Sequence, residues 1–377
     1  MSGFPQPRSA YLHVPFCAHR CGYCDFTLIA RRDDLMGAYL DGLSRQLESM
    51  GNPVEVDTVF FGGGTPTHLD PPSLARLLEL TNHWFRLVPG GEFSVEANPS
   101  GLTDEKLDLL AEAGVDRVSL GVQSFVNDEL RLLERDHAVT EAVETVGRLQ
   151  RRFRNVSLDL IFALPGQTLE TWKANLERAI ELQPQHLSTY GLTFERGTTF
   201  WSKQSRGTIV PAEQELERQM YEHAMDRLEE AGYGHYEVSN FARPGFECRH
   251  NQTYWRADSF YGFGPGAASF VDGVRRMNHR SVTTWIRKVL AGESPIVEEE
   301  VLTPEERARE AVMVGLRQAV GLNVAEFQNR YGFELLPLGG EAAPRFLQKG
   351  WLEIVDGSLR LTRSGRLFTD TVVMEFL

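Results

Sequence analysis

Two rhythms of apolar and polar positions alternate along the first half of the chain. Short apolar runs bounded by turn residues read as buried strands, and between them apolar residues recur at helical spacing. Strands are predicted over Ser9–Pro15, Val56–Phe61, Glu92–Asn98, Asp116–Gln123, Val156–Leu164 and His186–Thr193. Helices are predicted over Leu74–Phe85, Thr103–Ala113, from Asp128, over Thr140–Phe153 and over Leu169–Leu182, with Thr103 as an N-cap. Such βα alternation implies an α/β fold with a parallel sheet and helices outside it. Six units are too few for a complete eightfold barrel, so the pattern predicts a partial (β/α)6 TIM-like barrel, with a doubly wound sheet as the alternative.

Farther along, the pattern changes. A long polar helix is expected between Val210 and Gly232, followed by an aromatic- and glycine-rich segment from Tyr233 to Phe270. After Thr303, a Thr-Pro cap opens the helix PEERAREAVMVGLRQ, a second helix starts near Asn323, and a third covers Ala342–Gln348. Two short strands around Asp356-Gly357 then form a hairpin signal. This order is that of a winged-helix-like α+β module. It carries no basic stripe and reads as a packing unit rather than a DNA binder. The expected division is 1–235 for the barrel, 236–300 for a connecting region and 301–377 for the C-terminal module.

Composition narrows the function. The 377 residues include 39 Lys and Arg against 52 Asp and Glu, a net charge of −13. That balance argues against a nucleic-acid protein working through phosphate contacts and against attraction to anionic lipid. No apolar stretch approaches the ~18 residues of a membrane span. The N-terminus lacks a charged start followed by a long apolar run, so a soluble, cytoplasmic protein is expected.

Four cysteines are present, and Cys17, Cys21 and Cys24 fall in the spacing C-x3-C-x2-C. A disulfide framework would spread its cysteines, whereas a cluster of three points to metal chemistry. A closed zinc site would need a fourth ligand, for which His13 and His19 are candidates. A [4Fe–4S] cube held by three cysteines keeps one iron open, unless the distant Cys248 closes it. The triplet follows the first predicted strand, where a βα barrel places its functional groups. The glycines of FFGGGTPT, which include Gly63 and Gly64 before Thr65, follow the second strand and let a backbone approach a ligand closely. Glu96, Gln123 and Asp159 lie near later strand ends and Gly191 ends the sixth; buried polar groups there need partners or one shared ligand.

YLHVPFCAHRCGYCDF, FFGGGTPT, GVQSF, LDLIFALPGQT and HNQTYW together resemble the radical S-adenosylmethionine (SAM) enzymes, in the oxygen-independent coproporphyrinogen III oxidase family and its HemW-type heme chaperone branch. The resemblance covers nearly the whole chain. It implies that Cys17, Cys21 and Cys24 hold three irons of a [4Fe–4S] cluster while SAM chelates the fourth and is cleaved to methionine and a 5′-deoxyadenosyl radical. It carries SAM contacts over to Tyr11, Tyr23, Gly63, Gly64, Thr65, Glu96, Gln123, Arg135, Asp159 and Gly191. A second SAM position would use Gly64, Thr65, Gln123, Arg135 and Asp159. The oxidase pattern has a further cysteine where this chain has Phe26, and a longer N-terminal extension. Both differences argue against porphyrinogen decarboxylation and for the chaperone branch, which has H-N-x-x-Y-W, here His250, Asn251, Tyr254 and Trp255. For heme, His250 offers an axial nitrogen, Cys248 an alternative thiolate, Tyr254 and Trp255 flat faces, and Arg249 and Arg256 partners for propionates. The expected partners are heme as cargo, an acceptor protein, an electron donor for the cluster, and in one reading a second copy of the chain. The alternatives are the oxidase reaction and a radical methyltransferase that opens the heme ring.

Overall fold

The computed structural model describes residues 5–377. Eight strands and eight helices build the first half: β1 Ser9–Val14, β2 Phe16–Cys17, β3 Ile29–Ala30, α1 Met36–Glu48, β4 Val54–Gly63, α2 Pro71–Trp84, β5 Phe85–Ala97, α3 Asp104–Glu112, β6 Arg117–Gln123, α4 Asn127–Leu132, α5 Val139–Gln150, β7 Asn155–Phe162, α6 Leu169–Glu181, β8 His186–Gly191, α7 Thr199–Ser205 and α8 Gln214–Glu230. β9 Gly234–Glu237, β10 Asn240–Ala242, α9 Arg249–Trp255, β11 Tyr261–Phe263, β12 Ala268–Val271, β13 Val274–Asn278, α10 Val282–Leu290 and β14 Ile296–Val301 follow.

The main sheet has the order β11-β1-β4-β5-β6-β7-β8-β10-β9. Its pairs from β11 to β8 are all parallel, and β10 and β9 add antiparallel strands at the β8 edge. The six predicted strands therefore stand side by side as an open, partial barrel. A seventh parallel strand, β11, comes from the segment expected to be a connector. The boundary at 235 is corrected accordingly: residues 236–300 complete both edges of the barrel sheet and add the sheet β12-β13-β14.

Local chemistry fixes the helix starts. Asp70 accepts from Ser73 N, Thr103 from Lys106 N, and Thr168 and Thr171 form a capping box. One predicted boundary moves. Phe85 begins β5 rather than ending a helix, and β5 runs through Pro89-Gly90-Gly91 because a register shift against β4 between Val56 and Thr58 absorbs those residues. Phe85 is buried against Tyr261 and Phe263 of β11.

After α11 Pro304–Gly315 come β15 Leu322–Asn323, α12 Val324–Tyr331, α13 Leu335–Leu338, α14 Ala342–Gln348, β16 Leu352–Val355, β17 Ser358–Leu361, α15 Arg363–Arg366 and α16 Thr369–Met374. They enclose their own apolar core around Phe327, Phe346, Leu359 and Phe376. Asp356 and Gly357 both take left-handed φ values, 50° and 76°, as a two-residue hairpin turn of this hand requires. The module leans on α9: Gln318 Nε2 donates to Trp255 O, and Arg330 donates to Arg256 O and Asp258. Among the described residues no helix is long and apolar enough to cross a membrane.

The barrel floor is pinned by one buried carboxylate. Glu92 accepts from Arg249 N and His250 N at the start of α9, and from Ser94 Oγ and Cys248 Sγ. Arg117, 2% exposed, supplies the compensating positive charge nearby. Glu92→Ala leaves two helix N–H groups and a buried guanidinium without their partner. The expected loss is about 3 kcal/mol of stability, read as a lower Tm of the cofactor-free protein; an unchanged Tm would remove the anchor role.

Candidate cofactor site at the barrel mouth

The chain leaves β1 and makes a tight loop before returning at β3. Ile29 N donates to Pro15 O, Arg31 N to Cys17 O, and Cys24 N to Cys21 O. Arg20 staples the loop from within, donating to the carbonyls of Cys24, Phe26 and Leu28. The glycine turn then presses against it: Gly64 N donates to Val14 O and Thr65 N to Phe16 O. A Cβ on Gly64 would lie 2.7 Å from Phe16 O and 2.9 Å from Phe16 N. A Cβ on Gly63, whose φ is 111°, would lie 2.4 Å from the His13 ring. Both positions therefore demand glycine.

The three thiols of the loop line one cavity of about 560 Å³ at the C-terminal ends of the strands. Tyr23, Gly63, Gly64, Thr65, Glu96, Gln123, Arg135, Asp159 and Gly191 line it too, so all but one of the SAM positions carried over by resemblance converge there. The exception is Tyr11. It faces a deeper chamber of about 190 Å³, together with His250, Asn251 and Tyr254, while Glu96, Ser119, Asp159 and Tyr190 border both spaces.

Cys17 Sγ lies 3.4 Å from Thr65 Oγ1, and Arg135 Nη1 lies 3.8 Å from Cys21 Sγ. Burial pushes the Cys17 thiol up to about 11 and raises Cys24 as well. A bound cation is what makes such thiolates stable. Among the described residues no set of three or more His, Cys, Asp or Glu side chains converges on one metal ion. The proposed fourth zinc ligands are also committed elsewhere. His13 uses Nδ1 with Tyr11 OH and Nε2 with Thr27 O, and burial lowers it to about 4; His19 pairs with Glu134 at 3.1 Å. Cys248 is corrected as a closing ligand. It is fully buried beside Glu92 under the N-terminal ends of the strands, a barrel length from the cysteine loop.

Polar groups in the wall are tied into position. Asn98 Nδ2 donates to Thr65 Oγ1 at 2.8 Å, and Arg135 Nη2 donates to Asn98 Oδ1 and Gly121 O. Gln123 sits at a left-handed φ of 67° where the β6–β7 register slips, a costly conformation for a residue with a side chain and one that concentrates at ligand sites. Glu96 accepts from Gly63 N at 3.1 Å; burial and the neighbouring Asp159 push its carboxyl up to about 7. Asp159 is raised by burial and accepts from Ser119 Oγ. A cation bound in this cavity would favour the ionised form of both carboxyls and offset the cost of their burial. Asn98, Ser119, Glu134 and Tyr190 were missed in the sequence; only the strand-end position of Asn98 offered a signal.

The heme expectation for HNQTYW is corrected in its geometry. The motif is α9, folded inward under the barrel. His250 is 1% exposed, with Nδ1 bonded to Thr58 Oγ1 at 2.8 Å and Nε2 to Tyr254 OH at 2.8 Å, and it stacks on Phe60. Asn251 and Tyr254 join it at the deeper chamber, and Trp255 lies under Arg317. Arg249 donates to Gly90 O and Arg256 to Gln252 Oε1. The chamber is smaller than the ~300 Å³ at which pockets for drug-sized ligands begin, so a tetrapyrrole does not fit inside it.

Residues 11–179 match the family model of the radical SAM superfamily, and residues 302–368 match the HemN C-terminal domain. The fold and the three-thiol mouth thus define a radical SAM protein. Over 373 residues the chain is 37% identical to the heme chaperone HemW of Lactococcus lactis, covering 99% of this chain and 98% of that protein. It is 36% identical to the heme chaperone HemW of Bacillus subtilis, covering 98% and 99%. The chain belongs to the HemW family. The solved coproporphyrinogen III oxidase of Escherichia coli superposes with a TM-score of 0.86 at 23% identity, covering 98% of this chain and 90% of that one, which shows a shared fold. Membership of the superfamily implies a [4Fe–4S] cluster and SAM, and the donor set fits them: three thiols and two carboxyls around one cavity.

Two outcomes are expected. Gly64→Ala forces the glycine turn off the cysteine loop, so anaerobically purified variant carries much less iron, whereas Gly37→Ala, with open space around it, retains it; equal iron would contradict the close-approach argument. For Glu96, the folded state keeps a proton from its ordinary 4.5 up to about 7. Stability of the ligand-free protein therefore falls as pH rises through that window. Glu96→Gln flattens this part of the Tm profile, and a profile the substitution leaves unchanged would refute the assignment.

Proposed function

We propose that this chain is a heme chaperone, binding heme and passing it to an acceptor protein in the cytoplasm. The observation that carries the reading is likeness along the full length to proteins named heme chaperone HemW. Phe26 supports it, because the further cysteine of the oxidase pattern is missing there.

In this reading Cys17, Cys21 and Cys24 hold the [4Fe–4S] cluster, and SAM occupies the adjoining cavity. When bound, the pair supplies one-electron chemistry. The protein's residues bind and orient. Gly63, Gly64 and Thr65 bring backbone up to the ligand, Glu96 and Asp159 meet its positive groups, and Tyr23, Gln123, Arg135 and Gly191 complete the wall. Arg135 also offsets thiolate charge beside Cys21. Tyr11, His250, Asn251 and Tyr254 shape the chamber floor beneath, and Trp255 packs under Arg317. An electron donor for the cluster belongs to the scheme, and the reading allows a homodimer.

Anaerobically reconstituted protein should bind hemin saturably, followed at the Soret band. Incubated with coproporphyrinogen III, SAM and reductant, it should yield no protoporphyrinogen and no linear tetrapyrrole. Absence of saturable hemin binding would refute the chaperone reading. Protoporphyrinogen would establish the oxidase instead, and a linear product the ring-opening methyltransferase.

A further inference from the structure

We propose that heme docks on the outer rim of the cysteine loop, with the iron on His19, the macrocycle on Phe26 and the carboxylates at Arg20 and Arg280. The inference rests on the heme-chaperone reading and deepens it by naming the site.

The chamber beside His250 is closed to an iron porphyrin: His250 has both ring nitrogens bonded, and the chamber holds only about 190 Å³. The rim is built otherwise. Phe26 is 59% exposed, the most exposed phenylalanine among the described residues, although it belongs to a loop whose other face is packed. A bare ring in that place is the flat apolar surface a macrocycle covers.

His19, on the same loop, stands at the edge of the cofactor cavity with its side chain 44% exposed. Its Nε2 lies 3.1 Å from Glu134 Oε2. A carboxylate on one imidazole nitrogen orients the ring and makes the other nitrogen the better metal ligand. Nδ1 is the nitrogen left for an incoming iron. Glu134 holds this pose at a left-handed φ of 55°, and Lys203 engages its other oxygen at 3.3 Å. The strained backbone therefore aims one carboxylate at one imidazole.

Charge fits as well. Arg20 is bound to carbonyl oxygens of Cys24, Phe26 and Leu28. Arg280 is bound to Thr27 Oγ1 and Asp25 O. Those acceptors are neutral, so both guanidinium charges remain for anionic groups beside Phe26. In a chain of net charge −13, this local reversal selects a ligand that is apolar, anionic at its edge and metal-bearing. An open rim also suits a cargo that must leave again.

The test is hemin titration of the anaerobically reconstituted full chain, read by the Soret band and by resonance Raman ligation markers. His19→Ala and Phe26→Ala should each weaken binding by tenfold or more, and His19→Ala should also lose the imidazole-ligated spectrum. Glu134→Gln should weaken binding by about tenfold. Phe26→Trp should bind like the parent, and so should His250→Gln. Iron and sulfide are assayed alongside; if His19→Ala lowers them, the Phe26 pair carries the test. Parent-like binding by His19→Ala and Phe26→Ala, or loss in His250→Gln alone, would overturn the rim site. No saturable binding by the parent would overturn the chaperone reading itself.

Discussion

The close approach of two backbones governs this molecule. Gly63 ends β4 and Gly64 follows it, neither with a side chain, and the cysteine loop after β1 settles directly onto them through Gly64 N to Val14 O and Thr65 N to Phe16 O. Remove that contact and the cysteine loop loses its seat on the end of β4. Other contacts brace the loop from its remaining sides: Arg20 threaded through its carbonyls, Arg280 and His13 at Asp25 and Thr27, Glu134 at His19, one pair of two-residue strands, and Phe200 packed where Gly22 leaves room. A barrel wall built from β-branched and aliphatic residues gives the two strand ends their fixed spacing, so a cofactor-sized space opens above a rigid base.

Electrostatics divide the interior into levels. At the floor, Glu92 and Arg117 balance each other and tether α9, which closes the barrel from below. In the middle, Glu96 and Asp159 line one cavity; burial raises both carboxyls, and the neighbouring Asp159 raises Glu96 further. At the mouth, Arg135 stands beside Cys21, and Arg20 and Arg280 brace the outer loop. The overall acidity of the chain conceals this ordering, because the bulk of its acidic side chains lie on solvated helix faces and in surface ion pairs that contribute little.

Much of the fold was legible because apolar runs and caps are local signals. β1, β6 and β8 fall where their sequences suggest, Thr103 caps α3, and Asp356-Gly357 turns the last hairpin. β11 was not legible: three residues, Tyr261–Phe263, carry no periodicity, and only their partner β1 makes them a strand. The cysteine triplet and the glycine turn could be read as one site because spacing and strand-end position are both sequence properties. The fate of HNQTYW could not. Its residue types suit a heme ligand and a packed helix equally, and the difference lies in Thr58 and Glu92, long-range partners more than 150 positions away. The Glu134–His19 pair escaped for the same reason.

The central claim is that the cluster held by Cys17, Cys21 and Cys24 leaves one iron open to SAM. Electron paramagnetic resonance of the reduced, anaerobically reconstituted protein, recorded before and after SAM is added, tests it most directly. The cluster spectrum should shift when SAM binds to the open iron. A spectrum that SAM leaves untouched, or a preparation in which zinc replaces iron, would contradict it.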